Sequence, residues 1–102
     1  MDTEFVDDPD RHRFELRSGE EVIGFLDYEL ATGVIALVHT EVDEAHSGEG
    51  HAATLARSAL DEARSRGLRV VPTCPYVASY IRKHPEYADL VAGASARARD
   101  AL

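Results

Sequence analysis

The feature that most constrains this fold is an apolar run that leads, through a turn with two glycines, into a helical pattern. Val34–Val38 is unbroken and β-rich, as expected of a central strand covered on both faces. The turn reads Ser47-Gly48-Glu49-Gly50-His51-Ala52. Behind it, apolar residues recur at helical spacing and mark one face: Ala52, Leu55, Ala56, Ala59, Leu60 and Ala63. Such a turn offers backbone N–H groups and a helix N-terminus to an anion, usually a phosphate.

Two strands are predicted before this unit and one after it. Residues 12–17 alternate polar and apolar side chains, and residues 21–30 are rich in β-formers. The short turns between them make an antiparallel meander with the central strand. Gly67 ends the helix, and residues 68–73 form a further strand. A strand, a helix and a strand in this order imply a right-handed crossover and a parallel pair.

The prediction is therefore a compact α/β fold, in which an antiparallel meander is joined to a β-α-β unit. We expect one domain over residues 1–102, since 102 residues is close to the usual domain size. The acidic residues 1–10 are predicted to be a loose start. Two more helices are predicted, over residues 76–83 and over the alanine-rich residues 86–101.

Composition narrows the class of function. No apolar run approaches the ~18 residues that span a membrane, and the acidic N-terminus does not resemble a signal peptide, so a cytoplasmic protein is expected. The formal charge of −8 disfavours nucleic acid as a partner. It favours a cationic substrate such as an amine, although acidity also simply keeps a protein soluble. The single cysteine, Cys74, excludes an internal disulfide.

Reactive side chains converge on one edge of the predicted sheet. The carboxyl ends of parallel strands meet at the edge where ligands of open α/β sheets bind. His39 and Glu41 end the first strand of the pair, and they share a face because side chains alternate along a strand. Cys74 ends the second. His39 is a candidate general base, Glu41 can polarise it or act through water, and Cys74 is a candidate acid or nucleophile. Ordinary packing or solvation is the alternative for each residue.

The order of these motifs resembles the small, single-domain branch of the GCN5-related N-acetyltransferase superfamily. The resemblance covers roughly residues 13 to 91 and includes, after the glycine turn, Cys74-Pro75 and His84-Pro85-Glu86-Tyr87. It implies that the two parallel strands splay apart to admit acetyl-CoA. It also implies that the turn Ser47–Ala52 grips the cosubstrate's pyrophosphate, and that the pantetheine arm pairs with backbone groups from Thr40 to Val42.

The turn departs from the superfamily pattern in two places. Ser47 stands where glutamine or arginine is usual, and Glu49 adds a negative charge that opposes phosphate. Both changes predict weak binding of acetyl-CoA. Gly50 and Ala52 match the pattern.

The helix after Cys74 carries further candidates. The Tyr76 or Tyr80 hydroxyl can reach the thioester sulfur, and Lys83 can meet the phosphate or adenine end of acetyl-CoA, with core packing or solvated surface as the alternatives. No metal site is predicted. His46 and His51 flank the turn without the i, i+4 spacing of a helical metal pair, and there is no cysteine pair.

Two functions follow from the resemblance. The first is an acetyl-CoA-dependent N-acetyltransferase that acts on an amine, and the alternative is a non-catalytic acyl-CoA-binding or interaction module that keeps the fold. A purely structural domain is a third possibility. The tight turn between the first two strands leaves no room for the helices that help to form an acceptor pocket in larger members. The acceptor site is therefore expected to be open, or to be completed by another subunit of an oligomer.

Overall fold

A mixed five-stranded sheet, with its strands in chain order, forms the frame of the protein. A computed structural model describes residues 3–93. Its strands and helices are β1 (Glu4–Asp8), β2 (Arg13–Ser18), β3 (Glu21–Ala31), β4 (Val34–Val42), α1 (His51–Ser65), β5 (Arg69–Pro72) and α2 (Pro75–Lys83). Three short 3-10 turns occur at Pro9–Arg11, Glu44–His46 and Pro85–Leu90.

The predicted meander and the predicted crossover are both confirmed. Strands β1 to β4 pair antiparallel in succession, and β4 pairs parallel with β5 across α1. The parallel register runs from Val34↔Arg69 to Leu37↔Pro72. The fold is thus the compact α/β arrangement that the sequence predicted.

The N-terminal segment was predicted wrongly. Residues 4–8 are not loose, because β1 pairs with β2 along its whole length. Phe5 stacks on Phe14 with ring centroids 5.0 Å apart, and Asp7 accepts a 2.6 Å hydrogen bond from the Tyr28 hydroxyl. Contacts with residues distant in the chain therefore stabilise β1, although its acidic composition does not indicate a strand.

The prediction of a helix over residues 86–101 is also wrong for residues 86–93, the part that the structure describes. Pro85–Leu90 is a 3-10 turn, and Val91 then forms a parallel bridge with Val70 of β5. Pro85 fixes its own backbone and provides no N–H, which disfavours a continuous helix from α2. Residues 94–101 of that prediction lie outside the described residues.

One hydrophobic layer lies between the sheet and the helices. It combines Phe14, Leu26, Leu37 and Val70 of the strands with Leu55, Leu60, Val77 and Ile81 of the helices, all of them buried. On β4 the side chains that alternate with its buried ones are half-buried or exposed, and Val71 on β5 is 38% exposed. Within residues 3–93, the central strands are therefore covered on one face, and the expected cover on both faces is wrong. No helix among these residues is long and apolar enough to cross a membrane.

The less covered face, called here the open face, carries a buried carboxylate. Glu15 is only 1% exposed although it points away from the hydrophobic layer. Its oxygens accept 2.8 Å hydrogen bonds from Nε of Arg13 and from Nε of Arg17. Burial raises the pKa of Glu15, but the bonds and charges of the two arginines outweigh it and lower the pKa overall. The side chains of Arg13 and Arg17 thus cover Glu15 on the open face.

Candidate functional site

A gap opens between β4 and β5 at their carboxyl ends. Pairing stops at Leu37↔Pro72, and the Cys74 amide then donates a 2.7 Å hydrogen bond to the Leu37 carbonyl. The chain next turns into α2 at Pro75, whereas β4 continues to Val42. In the described part of the chain no strand pairs with residues 38–42 on the β5 side. This free backbone edge is the splay that the resemblance implied.

A bulge in β4 decides which side chains flank the gap. Tyr28 pairs with Leu37 and Asp27 with His39, so Val38 is an extra residue on β4. The extra residue resets the alternation of side chains. His39 and Glu41 therefore lie on the open face, whereas Thr40 and Val42 turn toward the helices.

His39 and Glu41 come together as predicted. Nε2 of His39 lies 3.3 Å from Oε1 of Glu41, and the two side chains are 56% and 62% exposed. The Phe25 ring of β3 is next to them, with its centroid 6.3 Å from that of His39. The pair can accept a proton from a group that approaches over the open face.

Cys74 lies on the other side of β4. Its Sγ is 3.3 Å from Oγ1 of Thr40, and the residue is 3% exposed and packs in the hydrophobic layer. The sequence placed Cys74 beside His39 and Glu41 at one sheet edge. The structure brings Cys74 to that edge but joins it to Thr40, because the bulge turns His39 and Glu41 to the opposite face.

The predicted glycine turn is present between β4 and α1. Gly48 and Gly50 have φ angles of 80° and 81°, which side chains rarely adopt, and a Cβ at either position would meet no atom within 4 Å. Gly50 is the N-cap of α1. The first amides of α1 have no acceptor within the helix and no side-chain cap, and Ser47 in the preceding turn is exposed. This geometry suits an anion, and it fits the pyrophosphate of acetyl-CoA.

Glu49 does not point freely at this space, because two histidines hold its carboxylate. Its Oε1 lies 2.8 Å from Nε2 of His51 and 3.3 Å from Nδ1 of His46. The hydrogen bond with Glu49 raises the pKa of His46, and the bonds from His51 and His46 lower the pKa of Glu49. The spacing of His46 and His51 along the chain does not predict a metal site, yet the turn places their ring centroids 6.0 Å apart. Their proximity could not be seen from a helical spacing rule.

The α2 candidates lie at different depths. Tyr76 follows Cys74 and is 40% exposed, and Lys83 is exposed in the last turn. Tyr80 is half-buried, with its ring 4.0 Å from that of His84. Burial raises the pKa of the Tyr80 hydroxyl above its ordinary value. Contact of these three residues with acetyl-CoA stays a prediction.

Sequence reasoning missed a depression on the open face beside Glu41. It has a volume of about 320 Å³, and its lining includes Arg13, Gly24, Phe25 and Asp43. The Arg13 guanidinium lies 4.5 Å from the Phe25 ring centroid and forms one wall. The residues that line it come mainly from three strands, and only the strand register shows that they adjoin Glu41.

Comparison with known proteins agrees with this geometry. Residues 13–90 match the sequence profile of the family described as GCN5-related N-acetyl-transferase. The chain is similar to Protein NATD1 of Homo sapiens and of Gallus gallus, with 38% identity over 52 residues, 51% of this chain and 46% and 47% of theirs. It is also similar to Protein NATD1 of Danio rerio, 32% identical over 88 residues, which are 82% of this chain and 80% of that protein.

The sheet, the gap and the glycine turn define an α/β protein of the N-acetyltransferase-like class. The match over most of the chain identifies the family, and the chain belongs to the GCN5-related N-acetyl-transferases. It spans about half the length of the human and chicken relatives that it matches.

Proposed function

We propose that this protein binds acetyl-CoA between β4 and β5 and transfers the acetyl group to an amine. The observation that carries the proposal is the free β4 edge at residues 38–42, which leads directly toward the glycine turn. A strand edge supplies N–H and C=O groups to an extended amide chain such as pantetheine. The turn and the N-terminus of α1 supply donors to the pyrophosphate. Family membership supports the same assignment.

The thioester then lies at the gap, where β4 presents groups to both of its faces. On one side, the Thr40 hydroxyl and the first-turn amides of α2 can donate to the oxygen that gains charge. On the other side, His39 can take the proton of the amine, with Glu41 holding the imidazole at 3.3 Å. The amine nitrogen bonds to the acetyl carbon, the carbon–sulfur bond breaks, and the proton from nitrogen reaches the CoA thiolate directly or through solvent. The products are an amide and free CoA.

The amine acceptor enters over the open face in this proposal. The depression is lined by the acidic residues Glu41 and Asp43 against the single cation of Arg13, so acidic residues predominate and favour a cationic amine over an anionic one. The Phe25 ring offers an apolar contact for the carbon chain of such an acceptor. The depression is shallow and open, which suits an extended or flexible amine.

Thermal shift and thiol release together test the proposal. Acetyl-CoA at 100 times its dissociation constant should add about 2.7 kcal/mol to the free energy of unfolding. Release of CoA thiol with a panel of amines should then identify turnover. No shift at millimolar acetyl-CoA would refute the proposal. Binding without turnover on any amine would support the acyl-CoA-binding module instead.

Two variants test the assigned chemistry on a confirmed substrate. His39→Ala should lower kcat by ~10²–10⁴, the range for a lost general base, and the exposed His12→Asn serves as the control. Cys74→Ala should lower kcat less, because the thiol is buried against Thr40. If Cys74 is instead a nucleophile, acetyl-CoA alone will add an acetyl mass to the protein, and Cys74→Ala will lose it. Wild-type rates in both variants would show that neither residue takes part.

A further inference from the structure

The turn before α1 gathers three potential metal ligands that the proposed transferase reaction does not use. The ligand atoms of His46, Glu49 and His51 all lie within 4.8 Å of one another. His46 ends the 3-10 turn Glu44–His46, and His51 is the first residue of α1. The two positive-φ glycines between them fold the intervening chain back and bring both imidazoles to the Glu49 carboxylate. Backbone geometry thus replaces the helical spacing that the sequence lacks.

The imidazoles are held in place before any ion arrives. The His51 side chain is 13% exposed and the His46 side chain 24% exposed, so both rings are largely packed. Their centroids lie 6.0 Å apart in an edge-on arrangement. Packing of this kind limits the side-chain freedom that a metal ion would otherwise have to remove.

We propose that His46 Nδ1, Glu49 Oε1 and His51 Nε2 form a binding site for a divalent transition-metal ion, with Zn²⁺ as the best fit. Two imidazole nitrogens and one carboxylate oxygen are ligands that zinc commonly takes, leaving a fourth position for water. Hard cations such as Mg²⁺ prefer oxygen ligands, so they fit this set poorly.

The distances require little movement. Tetrahedral ligands at zinc's usual bond lengths stand about 3.3 Å apart. Glu49 Oε1 is already 3.3 Å from His46 Nδ1, and its 2.8 Å separation from His51 Nε2 needs to open only slightly. The two histidines must approach each other from within the 4.8 Å limit. A rotation of exposed Glu49 and small ring shifts achieve this.

A second carboxylate supports the assignment from outside the ligand set. The other ring nitrogen of His46, Nε2, lies 3.6 Å from Oε2 of Glu21 on β3. Histidines that bind metals generally donate their second N–H to a carboxylate or carbonyl, which fixes the tautomer and orients the ring. The 3.6 Å separation is just beyond hydrogen-bond distance, so Glu21, which stands on a different element from the three ligands, is assigned as a positioning residue that a small shift of the His46 ring brings into contact.

The site is separate from the gap between β4 and β5. Its three residues line a depression together with Ser18 and Ile23, at the β2–β3 hairpin. The free edge of β4 faces the β5 side. Glu49 and His51 nevertheless belong to the turn that is proposed to hold the pyrophosphate, so metal binding is measured in the absence of acetyl-CoA.

Titration calorimetry of tag-free protein with ZnCl₂, and with MgCl₂ for comparison, tests the site. We expect one Zn²⁺ per chain and no heat of binding from Mg²⁺. Loss of a carboxylate that orients a metal-binding histidine lowers metal affinity ~10–100-fold, and Glu21→Gln should lower Zn²⁺ affinity within that range. The ligand variants His51→Ala and Glu49→Gln should each lower Zn²⁺ affinity by more than this. The exposed His12→Asn should bind as wild type.

Circular dichroism and a thermal shift keep the test decisive if a variant is less stable. A folded His51→Ala protein whose melting temperature does not respond to Zn²⁺, beside a wild type that does, supports the site. Two results would overturn it. One is the absence of Zn²⁺ binding by the wild type at millimolar concentration, and the other is wild-type Zn²⁺ affinity in both ligand variants, His51→Ala and Glu49→Gln. Acetyl-CoA is omitted throughout, so failure here leaves the proposed transferase function untouched.

Discussion

Replacing Gly50 by valine should abolish acetyl-CoA binding and leave the fold in place. Gly50 has a φ of 81° at the N-cap of α1, where a side chain costs about 1–2 kcal/mol in a left-handed conformation. That cost lowers the melting temperature by ~4–16 °C for a domain of this size. A Cβ meets no protein atom within 4 Å, so the added bulk stands in the space that an approaching phosphate needs.

The control is valine at Gly33, in the turn between β3 and β4. Its φ is 72° and its Cβ would also meet nothing within 4 Å, so the backbone strain is matched. The assays are circular dichroism, a melting curve and titration calorimetry with acetyl-CoA. Both variants should melt earlier by similar amounts, and only the Gly50 variant should lose binding. A folded Gly50→Val protein with wild-type affinity would remove the turn from the pyrophosphate site, as would equal loss of affinity in Gly33→Val.

Two further outcomes are expected. Ser47→Arg should tighten acetyl-CoA binding about five- to tenfold by calorimetry, because a nearby positive charge contributes ~1 kcal/mol. The control, Ser65→Arg at the far end of α1, should bind acetyl-CoA as the wild type does. Equal affinities of the two variants would contradict this prediction. Glu15→Gln should lose about 1–3 kcal/mol in urea unfolding at neutral pH. Two arginines lower the pKa of Glu15 in the folded protein, so the carboxylate stabilises the fold fully at pH values above its unfolded pKa of about 4.3. This stabilisation is lost as the pH falls through the folded pKa. The free energies of unfolding of wild type and variant should therefore become equal in acid.

The sequence alone was sufficient to predict the strands and helices whose residue pattern is visible within the element itself. Alternation of polar and apolar residues predicted β2, the density of β-forming residues predicted β3, and helical spacing predicted α1 within one residue of its start at His51. The chain order of strand, helix and strand then predicted the parallel pair, because the handedness of the crossover leaves one arrangement. The sequence also predicted a glycine turn before α1, and the structure adds that Gly48 and Gly50 both have positive φ, which glycine adopts without strain.

Long-range pairing explains what the sequence did not reveal. Strand β1 contains three acidic residues among five, and its place in the sheet depends on distant partners, such as Tyr28 and Arg66 for Asp7. Glu15 alternates like a solvent-facing residue, yet two arginines cover it. The meeting of His46 with His51 depends on two backbone angles between them rather than on their separation along the chain.

The bulge at Val38 has the largest consequence for the site. With unbroken alternation, His39 and Glu41 would lie on the same face as Ile35 and Leu37, which is the face that the helices cover. One extra residue turns the histidine and the glutamate outward and turns Thr40 inward to Cys74. In the proposed reaction, this single strand would supply a proton acceptor on the open face, where the amine arrives, and a hydroxyl on the buried side. That division of β4 matches the two requirements of acyl transfer from a thioester: access for the acceptor and a sheltered donor for the oxygen that gains charge.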